Sequence, residues 1–171
     1  QDTDTNRAYP SELLDQVLNE ARKLDYYTYL FLRLIYYTLR RPSELLKLQY
    51  KDVDLDRGTL IFNSKKTKTN KTLNSQLPAH LANELKQHVP TNAKPTDYFF
   101  GNIGRKLQNE YDKRLFAPIP TPFSHFQDKF KALQYRMKLP KGYTLYSFKH
   151  TGIVYAIEVM QWSDYDIISY T

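Results

Sequence analysis

Leu13, Leu14, Val17, Leu18, Ala21 and Leu24 recur at helical spacing near the start of the chain. That spacing predicts a helix with one buried face, and Ser11, after Pro10, is its expected cap. The stretch from Tyr26 to Leu39 is apolar or aromatic on nearly every side, the pattern of a central buried helix. Pro42 suits the first turn of a third helix, which Leu45, Leu46 and Leu48 continue to about Gln49. Then the period changes. Asp54-Leu55-Asp56-Arg57-Gly58 is turn chemistry, and Thr59–Asn63 and Thr72–Leu77 read as short strands. Further helices are expected from Pro78 to about His88, over Phe123–Met137 and within Thr144–Gln161. Ser163-Asp164 opens a last helix, with Tyr165, Ile167 and Ile168 as its expected buried face. Residues 101–122, with Pro118, Pro120 and Pro122, read as loop after the short apolar segment Tyr98–Phe100. The expected class is mainly α with a small antiparallel β-sheet or hairpin, and no internal boundary is apparent.

Composition narrows the chemistry. A chain of 171 residues suits one domain, and 41% hydrophobic residues can fill its core. With no cysteine, disulfides, thiolate metal sites and cysteine nucleophiles are excluded, and a reducing cytosol is suited. No long apolar run and no charged-then-apolar leader occur, so no membrane partner is expected and the location reads as cytoplasmic. The polar opening Gln1–Asn6 and the plain stop at Thr171 read as the ends of a fragment of a larger protein. Twenty-five Lys and Arg against 18 Asp and Glu leave a net charge of +7, a lean toward polyanions, nucleic acid first.

The charge is concentrated. From Arg57 to Asn83 no Asp or Glu occurs, whereas Arg57, Lys65, Lys66, Lys68 and Lys71 do. Lysines on a hairpin tip reach phosphates; the bland alternative is a solvated edge that discourages sheet aggregation. Arg40-Arg41 falls between the buried helix and the next, where guanidinium groups meet anions, and Glu44 stands one turn on. An ordinary ion pair is the alternative there. Lys149-His150 lies near the start of a helix, and His150 suits either a general acid–base role or simple packing. No metal-ligand spacing, phosphate-cradling glycine loop or Gly-x-Ser-x-Gly occurs, so no metal or small-molecule cofactor is expected.

The order of these features carries more than any one of them. Thr38-Leu39-Arg40-Arg41-Pro42-Ser43-Glu44-Leu45 resembles the first catalytic box of the tyrosine recombinase (phage integrase) family, roughly Thr-Gly-x-Arg-x-Ser-Glu-Leu. The Asp-rich turn, the hairpin with Lys66 at the place of the family's lysine, and the return to Leu77-Pro78 follow in the same order. Leu145-Tyr146-Ser147-Phe148-Lys149-His150-Thr151 looks like the second box, His-x-Leu-Arg-His-Thr. It departs from that pattern at Tyr146, in the place of His, and at Lys149, in the place of Arg. The Tyr-Ser-Phe-Lys-His-Thr form resembles a variant among mobile-element integrases of Bacteroidetes-type bacteria. The family's last box, His or Trp and then the nucleophilic Tyr, has no match in Ser163–Thr171, so the nucleophile is expected beyond it.

The resemblance implies a catalytic-domain fold and a reaction in which a tyrosine cuts and rejoins a DNA strand through a phosphotyrosine link, without metal. It implies Arg41 and Lys149 as phosphate clamps, Lys66 (or its neighbour Lys68) as general acid, Tyr146 as hydrogen-bond donor and His150 as proton handler. Glu44 would orient Arg41, and Arg40, Lys65, Lys68 and Lys71 would touch DNA. Expected partners are double-stranded DNA, with further copies of the protein assembled on it, and an N-terminal DNA-binding domain before Gln1. The expected place of such a protein is the bacterial nucleoid. Two other readings stay open: a DNA-binding relative that cannot cut, motivated by Tyr146 and Lys149, and a basic helical scaffold for a protein partner.

Overall fold

The computed structural model describes residues 5–63, 65, 68, 70–107 and 110–171. They form two compact units, the described residues up to 42 with 123–171, and those within 43–122. No internal boundary was expected, because the inserted unit begins and ends in Ser43 and Pro122 without a linker-like composition.

The first unit is helical. α1 (Ser11–Leu24) buries Val17 and Ala21. Ser11 is the first helical residue and Pro10 the cap position, with no side-chain cap, so Ser11 does not play the expected part. Proline there costs nothing, since its missing N–H lies outside the helical ladder. Asp25 ends α1 and caps α2 (Tyr26–Thr38), accepting the Thr28 N–H at 3.2 Å. α2 buries Tyr27, Leu30, Phe31, Leu32, Leu34 and Ile35 around its circumference, which makes it the centre of the unit. Three later helices belong to it: α5 (Phe123–Met137), α6 (Tyr146–Glu158) and α7 (Asp164–Tyr170). Phe126 of α5 stacks on Phe31 at 3.8 Å between centroids. α7 opens with a reciprocal Ser163–Asp166 capping box. None of its residues is buried: Tyr165 is 77% and Ile168 72% exposed, against the expected inward face.

The second unit holds the strands. A short helix, α3 (Pro42–Leu45), leads through a 3-10 turn (Tyr50–Asp52) into β1 (Val53–Asp54). β2 (Thr59–Phe62) and β3 (Leu73–Gln76) pair antiparallel with Leu60 opposite Ser75, in a sheet of order β1-β2-β3. Gly58 turns the chain between β1 and β2 at φ 66°, and a Cβ there would stand 3.0 Å from the Leu77 carbonyl oxygen. α4 (Ala79–Lys86) turns Leu81, Ala82 and Leu85 inward.

The stretch expected as loop is instead a second sheet. β4 (Tyr98–Leu107) pairs with β5 (Glu110–Ala117) and β6 (Ile119–Pro120), in the order β5-β4-β6. Between Asn102 and Lys106 of β4 the register with β5 shifts, from Asn102 opposite Lys113 to Lys106 opposite Tyr111. Such a bulge breaks the alternation by which a strand is recognised in sequence. Pro120 sits on an edge strand, where a missing N–H is tolerated. Among the described residues no helix is long and apolar enough to cross a membrane.

Candidate functional site

The first unit holds the two arginines, in the segment that follows α2, and the second-box residues, on α6. α2 ends at Leu39, whose backbone is left-handed (φ 56°, ψ 22°) and whose N–H still bonds to the Ile35 carbonyl. The Thr38 hydroxyl donates to the Leu34 carbonyl oxygen at 2.6 Å and accepts the Arg40 N–H at 3.3 Å. The chain therefore leaves α2 in a tight, hydrogen-bonded reversal that hands out Arg40 and Arg41. Their side chains part: Arg41 is half-buried, whereas Arg40 is closed to solvent. Arg40 Nη1 donates to the Thr171 carbonyl oxygen at 3.1 Å, and its guanidinium lies 5.5 Å from the centre of the Tyr170 ring. Arg40, expected at DNA, is thus an internal side chain in this structure.

α6 carries the second box on its first turns. Ser147, Phe148, Thr151 and Gly152 are buried, which leaves Tyr146, Lys149 and His150 together on the outer face at i, i+3 and i+4. The inner residues fix the helix. The Thr151 hydroxyl bonds to the Ser147 carbonyl at 2.6 Å and accepts the Tyr9 N–H at 2.9 Å, while Phe148 packs against Tyr9 and Phe130. At Gly152, α6 touches the end of α2 itself. A Cβ there would stand 2.3 Å from the Tyr36 carbonyl oxygen and 2.5 Å from Leu39 Cδ2. Only glycine allows that approach, and it sits one residue beyond Thr151. The polar face of α6 is thereby tied in position to the reversal that carries Arg41. Nearby, burial and the neighbouring Tyr37 and Tyr155 push the Tyr36 hydroxyl up to about 12.

The other expected residues belong to the second unit. Glu44 is buried there and accepts the Lys68 main-chain N–H at 3.1 Å, so it holds the chain between β2 and β3. Lys65, Lys68 and Lys71 are exposed along that connection. Lys66 lies outside the described residues. No group of three or more metal-ligating side chains occurs among the described residues.

The sequence pattern of the phage integrase family matches residues 9–148, more than four-fifths of the chain. The chain belongs to the phage integrase family. A probable integrase/recombinase of Methanocaldococcus jannaschii is 30% identical over 107 residues, covering 61% of this chain and 32% of the relative. Among solved structures, the XerA recombinase superposes at a TM-score of 0.66 with 20% identity, over 95% of this chain and 55% of that one. The Tn1549 transposon integrase, solved in complex with a circular-intermediate DNA, superposes at 0.73 with 16% identity, over 99% of this chain and 59% of that one. These likenesses establish the fold. The chain spans about a third of the archaeal relative and under two thirds of each solved integrase.

Within this integrase fold, Leu39 occupies the place of the first-box glycine and keeps the left-handed backbone that suits glycine. Two contributors escaped the sequence reading. Gly152 has a visible signal, a glycine inside an otherwise apolar helix just after the second box. The pairing of Arg40 with the end of α7 has none, since 131 positions separate the partners.

Proposed function

We propose that this chain is the catalytic part of a site-specific DNA recombinase that cuts and rejoins strands through a covalent phosphotyrosine. The observation that supports it is the Gly152 contact, which packs the helix bearing Tyr146, Lys149 and His150 against the end of the helix that leads to Arg41. In that reaction a tyrosine oxygen bonds to phosphorus and the sugar oxygen departs with a proton. Negative charge gathers on the non-bridging oxygens. The planar guanidinium of Arg41 suits a bidentate clamp on those oxygens, and Lys149 adds a point charge. The Tyr146 hydroxyl donates a hydrogen bond to the same phosphate. With an ordinary value of about 10, a phenol donates without shuttling protons at neutral pH. That task falls to His150. Lys66 gives the leaving oxygen its proton. Glu44, by holding the Lys68 amide, steadies the connection that carries Lys66.

The attacking tyrosine belongs to a segment C-terminal to Thr171, since the last-box pattern is not met by Tyr165 or Tyr170 of α7. A DNA-binding domain before Gln1 completes the grip on duplex DNA, and copies of the protein assemble on paired sites. A mobile element is the expected carrier, as for the Tn1549 relative. The experiment is to trap the covalent adduct with the full-length protein. It uses a nicked duplex bearing the sequences that flank its own gene. Adduct should form, and Arg41→Ala should cut its rate by roughly 100- to 1,000-fold, the usual loss when one donor to a developing oxyanion is removed. Binding without adduct would favour the relative that binds and does not cut, the reading that Tyr146 and Lys149 motivate.

A further inference from the structure

The proposal concerns α7 and Arg40, and it deepens the recombinase reading on which it rests. α7 is seven residues long and buries none of its side chains. Apolar packing therefore does little to hold it. Its described attachments gather at its last turn. Tyr170 meets Trp162 edge to face at 5.0 Å between ring centroids, Arg40 lies over the Tyr170 ring at 5.5 Å, and Arg40 Nη1 donates to the Thr171 carbonyl oxygen at 3.1 Å. A charge-assisted bond from a guanidinium to a carbonyl oxygen is a strong hydrogen bond, and the aromatic face adds a second attraction. Both act strongly here because Arg40 is withdrawn from water (0% exposed). Arg40 is also the residue immediately before Arg41, in the reversal closed by Thr38 and Leu39.

We infer that Arg40 is a positioning residue: it anchors the end of α7 to the loop that carries Arg41, and does not contact DNA. Whatever the chain presents after α7 is then tied through this side chain to the loop of the phosphate clamp. In the recombinase reading that is the nucleophile-bearing segment. A chain pulled free at Thr171 would leave the attacking oxygen poorly aimed, a loss that appears in the rate at saturating DNA and not in affinity.

The test uses the full-length protein with Arg40→Met, which keeps the volume and removes the charge, and Arg40→Lys, which keeps the charge without the planar fork. Hydrogen exchange of the α7 amides should quicken about tenfold or more in Arg40→Met and less in Arg40→Lys. The slope of log affinity for duplex DNA against log salt should stay at the wild-type value. A lost phosphate contact would instead shallow it by about 0.9. Adduct formation at saturating DNA should slow about tenfold or more, with the concentration for half-saturation unchanged. Tyr170→Leu, altered at the half-buried other side of the same contact, guards against an Arg40 variant that misfolds, and it too should quicken α7 exchange. Unchanged α7 exchange in well-folded Arg40→Met and Tyr170→Leu overturns the anchor, and a shallower salt slope overturns the exclusion from DNA. Faster exchange with a wild-type adduct rate overturns the positioning role. If the wild type forms no adduct, the recombinase reading fails, and the exchange measurement still decides the anchor.

Discussion

Leu39 holds a left-handed backbone that its own side chain opposes. For an L-residue with a Cβ that conformation costs about 1–2 kcal/mol. It is 3% exposed, with Cδ2 packed 2.5 Å from where a Cβ of Gly152 would stand. Removing a buried leucine side chain costs about 2–5 kcal/mol. Burial therefore outweighs strain, and Leu39→Gly, although it restores the family's residue, should lower stability by roughly 1–3 kcal/mol in urea unfolding. A more stable Leu39→Gly protein would mean that strain dominates. Tyr36 permits a second test at this scale. Its hydroxyl keeps its proton up to about pH 12, whereas in the unfolded chain it ionises near 10. Between those values the unfolded state binds fewer protons, so stability is intact below pH 10 and drains away as pH rises toward 12. Tyr36→Phe should make the fall of stability across that window shallower, with Tyr9 and Tyr37, whose hydroxyls burial also pushes up, keeping the remainder, measured by thermal unfolding at several alkaline pH values.

Among the elements, the two hairpins contrast. β2 alternates cleanly: Leu60 and Phe62 are fully buried while Ile61 faces out at 43% exposure. That alternation and the turn at Gly58 made the hairpin visible in sequence. Phe62 sits at its far end, opposite Leu73 and next to the lysine-bearing connection. Phe62→Ala should cost about 3–5 kcal/mol, and hydrogen exchange should place the loss in β2, β3 and α4. Protection unchanged across those elements would show that the hairpin does not depend on this ring. β4 and β5 hid because Gly101 and Gly104 punctuate the stretch and the register shift spoils the period. Gly101 is required by proximity: a Cβ there would lie 2.6 Å from the Ala117 carbonyl oxygen.

At the scale of the whole molecule, charge decides. The chain carries +7, and Lys65, Lys68 and Lys71 are exposed on one connection. In the recombinase reading, affinity of the full-length protein for duplex DNA should fall linearly on a log–log plot against salt. Each neutralised phosphate contributes about 0.9 to the slope. Replacing Lys68 and Lys71 together by Gln should shallow it by about 2. A flat salt response of the parent protein would remove both DNA readings and leave the protein-scaffold alternative.

Much of the fold and of the site was legible from local order. The periodicity located α2 and α5 within a residue and α6 within three, because a buried helix needs apolar residues at fixed intervals. The first box, around Arg41, was legible as a family pattern, because the residue types there recur in a fixed order and spacing. What remained hidden depends on residues far apart in the chain. Arg40 and Arg41 are chemically identical in the sequence, and only the tertiary structure buries the first, with Thr171 and Tyr170 among its neighbours. Tyr165 and Ile168 carry the pattern of a buried face, yet burial needs a neighbour against that face, and none of α7 is buried. The apolar side of an isolated helix is a local property, whereas contact and desolvation belong to pairs of elements that folding brings together.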